Sequence, residues 1–277
     1  MSRRQRWPLW TLPPLLLVAG ASTYPLILVI RQSFLSEKGN VGLAEWRAVV
    51  ASGEFRSALW HTAQISLSAT VGCLVLGTFF ALVLSFVPFA GSGIVARLVD
   101  TILAFPSFLI ALAFTFLYGS AGILNAAVGG HPLDGFLYSP WCVILAEITF
   151  YTPFVLRPVL AAFSQVPRDQ LDVAASLGAR PGRVIVRLLL PEALPALAAG
   201  GSLTLLLTLN EFGIVLFIGA KNVVTLPLLV HSKGVVTFDY PAACVVAAVE
   251  VALSLLLYGL YRWVFTRTGG GRAVLVG

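Results

Sequence analysis

Residues 171–197 read LDVAASLGARPGRVIVRLLLPEALPAL. Asp172 and, just upstream, Asp169 stand here with Arg180, Arg183, Arg187 and two glycines, between apolar runs that extend on both sides. This polar interruption makes the flanking runs legible as separate elements. One ends before it, and the next begins within it.

Outward from that segment the chain is apolar. Of its 277 residues 58% are hydrophobic and 11% charged, and the mean hydropathy is +0.92. Soluble domains carry roughly 25% charged and about 45–50% apolar residues. Such a chain turns apolar surface toward lipid and reads as an all-α membrane protein. Its formal charge of +6 does not imply a nucleic-acid partner, because the basic residues lie between apolar spans rather than on one soluble face. Cys73, Cys142 and Cys244 each sit inside an apolar run without a close-spaced ligand partner, so they read as small buried hydrophobes. The apolar stretch from Leu9 to Ile30 exceeds the roughly 7–15 residues of a signal-peptide core, so it reads as a retained anchor. Trp7, Trp10 and Arg3, Arg4 and Arg6 form its aromatic and basic interface.

A helix needs about 20 mostly apolar residues to cross the hydrocarbon core. Six stretches qualify: 9–30, 62–87, 97–119, 140–163, 195–219 and 241–265. Together they make one membrane domain over 1–277, with a polar connection at 165–191 between the fourth and fifth spans. Pro106 and Pro153 lie inside spans and are expected to kink them. With the amino terminus inside, twelve Lys and Arg fall on the inner side and six on the outer. The positive-inside rule therefore places both termini, and the 165–191 connection, in the cytoplasm. On the outer side, LAEWRAVV at 43–50 reads as a short surface helix.

Within the connection, Pro167 suits a first helical turn and Asp169 and Asp172 suit the positive end of the helix dipole. Gly178 is a natural stop, and Pro181 starts a second helix that carries Arg183 and Arg187 on one face at i, i+4. Two short helices at an elbow fit either an interfacial connector lying on anionic lipid or a docking site for another protein.

The order of residues resembles the EAA loop of permease subunits in ATP-binding-cassette importers. That family's pattern is E-A-A, three residues, G, nine residues, I-x-L-P. Asp172-Val173-Ala174 occupies the first place, Gly178 the glycine, and Leu188-Leu189-Leu190-Pro191 the last, with every interval kept. Asp172 for Glu, Val173 for Ala and Leu188 for Ile are the departures. The resemblance implies a type I importer permease without its own ATPase site and without a cofactor. Its partners would be a cytoplasmic ATPase dimer, a second permease and a periplasmic solute-binding protein. Asp172, Ala174, Gly178, Arg183, Arg187, Leu190 and Pro191 would make the ATPase contact. More narrowly, STYPLILVIRQSF (22–34), LYGSAGILN (117–125), VILAEITFYTPFVLRPVLAAF (143–163) and LNEFGIVLFIGAKNVVTLPLLV (209–230) resemble permeases of 2-aminoethylphosphonate importers. Iron, thiamine and polyamine permeases share parts of this pattern.

Carboxylates inside spans are costly, roughly 2.5–3.5 kcal/mol at the bilayer centre, and mark functional interior by default. Glu147, Glu211 and Glu250 lie about 10–14 Å in from the outer ends of the fourth, fifth and sixth spans at 1.5 Å per residue. With Asn210 beside Glu211, they are candidates for the translocation path, where they would meet a passing ammonium group. Interhelical hydrogen bonding is the competing role. Gly200, Gly201 and Ser202 allow close helix packing. His61, His131 and His231 are too dispersed for a metal site.

No G-x-x-x-x-G-K-[ST] phosphate cradle and no G-x-S-x-G or H-E-x-x-H arrangement occurs, so ATP hydrolysis would have to come from another subunit. An ion-coupled carrier using the buried carboxylates and a non-transporting assembly protein remain as alternatives. The first of these typically shows internal repeats, and none is evident here.

Overall fold

A computed structural model describes residues 12–35, 40–128, 135–219 and 222–267. The expectations resting on Arg3, Arg4, Arg6, Trp7, Trp10, Lys38, His131, Lys221 and Arg272 lie outside the described residues. Among the described residues six helical stretches are long and apolar enough to cross a membrane: Leu12–Ser33, Gly53–Phe86, Ser107–Val128, Pro140–Ser164, Pro181–Leu209 and Tyr240–Phe265. The all-helical, six-span expectation is met.

The chain divides into two compact units. One comprises residues up to Arg56 with Leu229–Val251. In it α1 (Leu12–Ser33) buries only Ser33, so nearly all of its apolar side chains face outward. The expected surface helix is present as α2 (Ala44–Ala51), and Phe34 and Trp46 pack with ring centroids 5.8 Å apart. Glu54 and Lys233 pair at 3.2 Å. Asp239 accepts from the Ala242 N–H at 3.1 Å and so caps the helix that begins at Tyr240.

The other unit comprises Ser57–Leu228 with the residues from Ala252 on. Its centre is α7 (Pro140–Ser164), whose Val143, Ala146, Val155 and Val159 have no exposed surface. Helix α3 (Gly53–Phe86) approaches it at Gly77, where a Cβ would come within 2.9 Å of the Val155 Cβ. Helix α10 (Leu190–Leu209) approaches it at Gly200, where a Cβ would stand 2.9 Å from the Phe154 carbonyl oxygen. Small residues admit such backbone contact, which replaces the hydrophobic driving force that lipid removes. A hydroxyl seam adds polar links. Thr62, Ser66 and Thr70 lie one turn apart on α3; Thr62 Oγ1 accepts from the Leu226 N–H at 2.8 Å, and the Thr70 and Thr208 hydroxyls meet at 3.5 Å.

Two spans differ from expectation. The third was expected as one kinked helix over 97–119. The chain instead forms α4 (Ser92–Ile102), a break, and α5 (Ser107–Tyr118), followed by α6 (Ile123–Val128). Pro106 is extended (φ −62°, ψ 143°) and stands before the first turn of α5, because a proline disfavours helix in the residue before it and lacks the N–H to continue one. The fifth span, expected over 195–219, begins earlier and stops earlier. Helical backbone runs from Pro181 to Leu209, breaks at Asn210, and resumes before a π-helical turn at Val215–Gly219. By contrast α7 carries Pro153 and Pro158 without interruption.

Candidate functional site

The polar elbow is built by local chemistry. Pro167 is extended (ψ 134°) and precedes the first turn of α8 (Arg168–Ser176) rather than standing in it. Asp169 lies in that first turn, at the positive end of the helix dipole. The helix stops as expected at Gly178, whose φ of +70° suits a residue without Cβ. The Gly178 N–H donates to the Ala175 carbonyl at 2.9 Å and the Ala179 N–H to the Ala174 carbonyl at 3.0 Å. This is the Schellman pattern, in which two terminal carbonyls find partners. Arg180 is extended (ψ 144°), and Pro181 begins α9 (Pro181–Val184).

The second short helix is not a separate piece. From Pro181 the backbone passes through a π-helical turn at Ile185–Leu189 into α10, giving one helical stretch of 29 residues. At 1.5 Å per residue it is about 43 Å long. Asp172, Arg183, Arg187 and Pro191 are exposed, Ala174 and Leu190 are half-buried, and Leu189 is buried. An apolar groove of 610 Å³ runs beneath the elbow, lined among others by Phe79, Val83, Leu171, Ala175 and Val184. The elbow thus exposes its charged residues together with Val173, Leu177 and Val186, and turns Leu171, Val184 and Ile185 toward the groove beside α3.

At the far end of that stretch, Asn210 is exposed and its Nδ2 donates to the Leu206 carbonyl at 2.8 Å, closing the last turn. The next residue turns inward: Glu211 is 5% exposed. Its Oε1 accepts from the Ile214 N–H at 2.8 Å and from the Ser107 hydroxyl at 3.1 Å; its Oε2 accepts from the Tyr151 hydroxyl. One carboxylate therefore caps the resumed helix and joins the break in the fifth span to α7 and to the first residue of α5. Gly213 makes room, because a Cβ there would lie 3.0 Å from Ser107 Oγ and 3.3 Å from Glu211 Oε1.

Glu147 lies one turn before Tyr151 on α7. It has no exposed surface, and neither oxygen has a hydrogen-bond partner. Glu250 is half-buried on α11 (Tyr240–Arg267).

Tyr151 and Ser107, both bonded to Glu211, are not among the residues expected at the site. The spacing of Glu147 and Tyr151 at i, i+4 was the available signal for the first, and the position of Ser107 after a helix-breaking proline for the second. In the structure Arg157 lies on α7 and forms an ion pair and hydrogen bond with Asp100 of α4.

Residues 68–270 match the family model described as "Binding-protein-dependent transport system inner membrane component". The chain is 52% identical over 267 residues to the protein named 2-aminoethylphosphonate transport system permease protein PhnU of Salmonella paratyphi A, covering 94% of this chain and 92% of that one. A thiamine transport system permease, ThiP of Brucella abortus, is 27% identical over 224 residues, 76% of this chain and 40% of its own. Among solved structures, a chain of a bacterial ABC transporter involved in alginate import superposes with a TM-score of 0.81 over 93% of this chain and 94% of that one, at 17% identity. A chain of the MetNI methionine ABC transporter in an inward-facing conformation gives 0.57 over 78% of this chain and 94% of its own, at 18% identity. The chain belongs to the family of binding-protein-dependent transport system inner membrane components and is a multi-pass permease of an ABC importer.

Proposed function

We propose that this permease carries 2-aminoethylphosphonate across the inner membrane, driven by a separate ATPase that docks on the 165–191 elbow. The observation that carries the choice of cargo is the 52% identity, over almost the whole chain, to PhnU. Both termini and the elbow are cytoplasmic in this reading, which rests on the twelve-to-six distribution of basic residues. The sequence has no phosphate-binding glycine loop, so nucleotide hydrolysis falls to partner subunits.

The elbow suits docking because it presents Asp172, Arg183 and Arg187 outward beside small residues at Ala174 and Gly178, with Leu190 and Pro191 leading back into the membrane. Closure of an ATPase dimer would draw the elbows of two permeases together. The helical stretch Pro181–Leu209 then carries that displacement to the break at Asn210. A second permease and a solute-binding protein complete the assembly.

The cargo has an ammonium group at one end and a phosphonate at the other. In this proposal Asn210, exposed at the break, faces the passing solute, and Glu211 behind it gives the wall negative character. Glu147 supports the same wall from within α7. Glu250 is a separate candidate on the sixth span. Uptake of radiolabelled 2-aminoethylphosphonate into proteoliposomes tests the cargo. Competition by excess unlabelled 2-aminoethylphosphonate but not by iron, thiamine or polyamines is expected. Uptake driven by an ion gradient without ATP would instead support a secondary carrier.

A further inference from the structure

We propose that Tyr151 is a positioning residue with two carboxyl acceptors, holding Glu211 in the conformation seen here and passing its hydroxyl to Glu147 when the break in the fifth span rearranges during turnover. The inference rests on the reading that this break moves with the elbow. It does not depend on which solute is carried.

Three observations lead to it. First, the Tyr151 hydroxyl is spent on Glu211, so α7 holds the break that follows Leu209 through this side chain as well as holding α10 by the close packing at Gly200. Second, Glu147 is fully buried with both oxygens unpartnered. A buried carboxyl without a donor is costly in any protonation state and is rarely tolerated without a role. Third, Glu147 stands four residues before Tyr151 on the same helix. Long side chains on a helix point back toward its amino terminus, over the residue four places earlier.

Two further donors, one following Tyr151 on α7 and one on α3, are engaged. The Thr152 hydroxyl donates to the Ile148 carbonyl at 2.6 Å, and the Cys73 thiol is directed at that same carbonyl at 3.8 Å. Tyr151 is the neighbouring donor whose present acceptor belongs to a different span. If Glu211 withdraws as the break shifts, a tyrosine hydroxyl would be stranded in the protein interior. Glu147 removes that penalty, and its unpartnered state here is the counterpart of the bond it receives there. The cost of an unmet hydrogen bond is thus shifted from one state to the other, which keeps both accessible.

Substitution of Glu147 tests this, because a structural role and a switching role give opposite patterns. In the assembled transporter with its ATPase subunits, Glu147→Leu breaks no hydrogen bond of the present conformation. Its thermal midpoint should equal or exceed that of the unsubstituted complex, while maximal ATP turnover falls roughly tenfold with KM for ATP unchanged, about the factor one hydrogen bond supplies to a rate. Glu147→Gln should recover most of that loss, since its amide oxygen accepts from the Tyr151 hydroxyl. Tyr151→Phe should be impaired, and adding Glu147→Leu to it should cost nothing further. Turnover at the unsubstituted rate in Glu147→Leu, equal defects in Glu147→Leu and Glu147→Gln, or failure of Glu147→Leu to assemble would each overturn the proposal. Absence of 2-aminoethylphosphonate uptake with ATP turnover intact would count against the cargo alone.

Discussion

The Tyr151 hydroxyl donates to Glu211 and so ties the most buried span, α7, to the point where the fifth span breaks. The same carboxylate reaches Ser107, the residue at which the third span resumes after its own break. Two interrupted spans and one continuous span therefore meet at a single side chain, and the consequences are measurable.

Removing the acceptor should loosen all three. Glu211→Leu leaves the buried Ile214 N–H and the Ser107 and Tyr151 hydroxyls without their partner, at a cost of about 1–3 kcal/mol per stranded group. Glu211→Gln keeps an oxygen for Ile214 and Ser107 and should be milder. Thermal unfolding of the purified permease in detergent should rank them unsubstituted, then Gln, then Leu. ATP-driven uptake should fall in the same order.

Helix packing gives a sharper contrast. At Gly200 a Cβ meets the backbone of α7, with Phe154 O at 2.9 Å and Val155 Cα at 3.1 Å. Backbone cannot step aside, so Gly200→Ala should destabilise by about 1–3 kcal/mol. At Gly259, also helical, nothing lies within 4 Å. There Gly→Ala should be neutral or stabilising by up to about 1 kcal/mol, the helix-propensity difference. Parallel melting curves check the pair.

The Asp100–Arg157 pair is about one-third and one-half exposed. Its net contribution should stay below about 1 kcal/mol, because solvent screens partly exposed pairs. Asp100→Arg places two like charges together and should lower assembled permease in membranes. The exchange Asp100→Arg with Arg157→Asp should restore it, as read on immunoblots of membrane fractions.

The elbow depends on one left-handed residue. Gly178→Val forces a β-branched side chain into φ +70° and should cost about 1–2 kcal/mol locally. α8 would lose its stop while the spans stay inserted. ATP hydrolysis measured beside uptake should then show hydrolysis persisting while uptake declines.

How much of this was legible in the sequence follows from which residues carried it. The elbow was legible because Asp172, Gly178 and Pro181 act through local backbone rules, and those rules operated as expected at Gly178. The number of spans was legible because hydropathy sums over about 20 residues. The breaks at 103–106 and 210–212 were not, since an averaging window passes over a few residues and Pro106 alone does not distinguish a kink from a stop. Nor was the continuity of Pro181–Leu209, where a π-helical turn bridges what reads as a boundary. Glu211 was legible as an unusual charge, but its partners were not. Ser107 and Tyr151 lie 104 and 60 residues away in the chain, and only packing brings them together.

In the proposed mechanism the elbow receives its drive from another polypeptide. Photo-crosslinking from position 172, exposed on α8, tests it most directly when performed on the assembled transporter in membrane vesicles. An adduct with the nucleotide-hydrolysing subunit is expected from that drive. Adducts with lipid alone, in a transporter that still hydrolyses ATP, would contradict it.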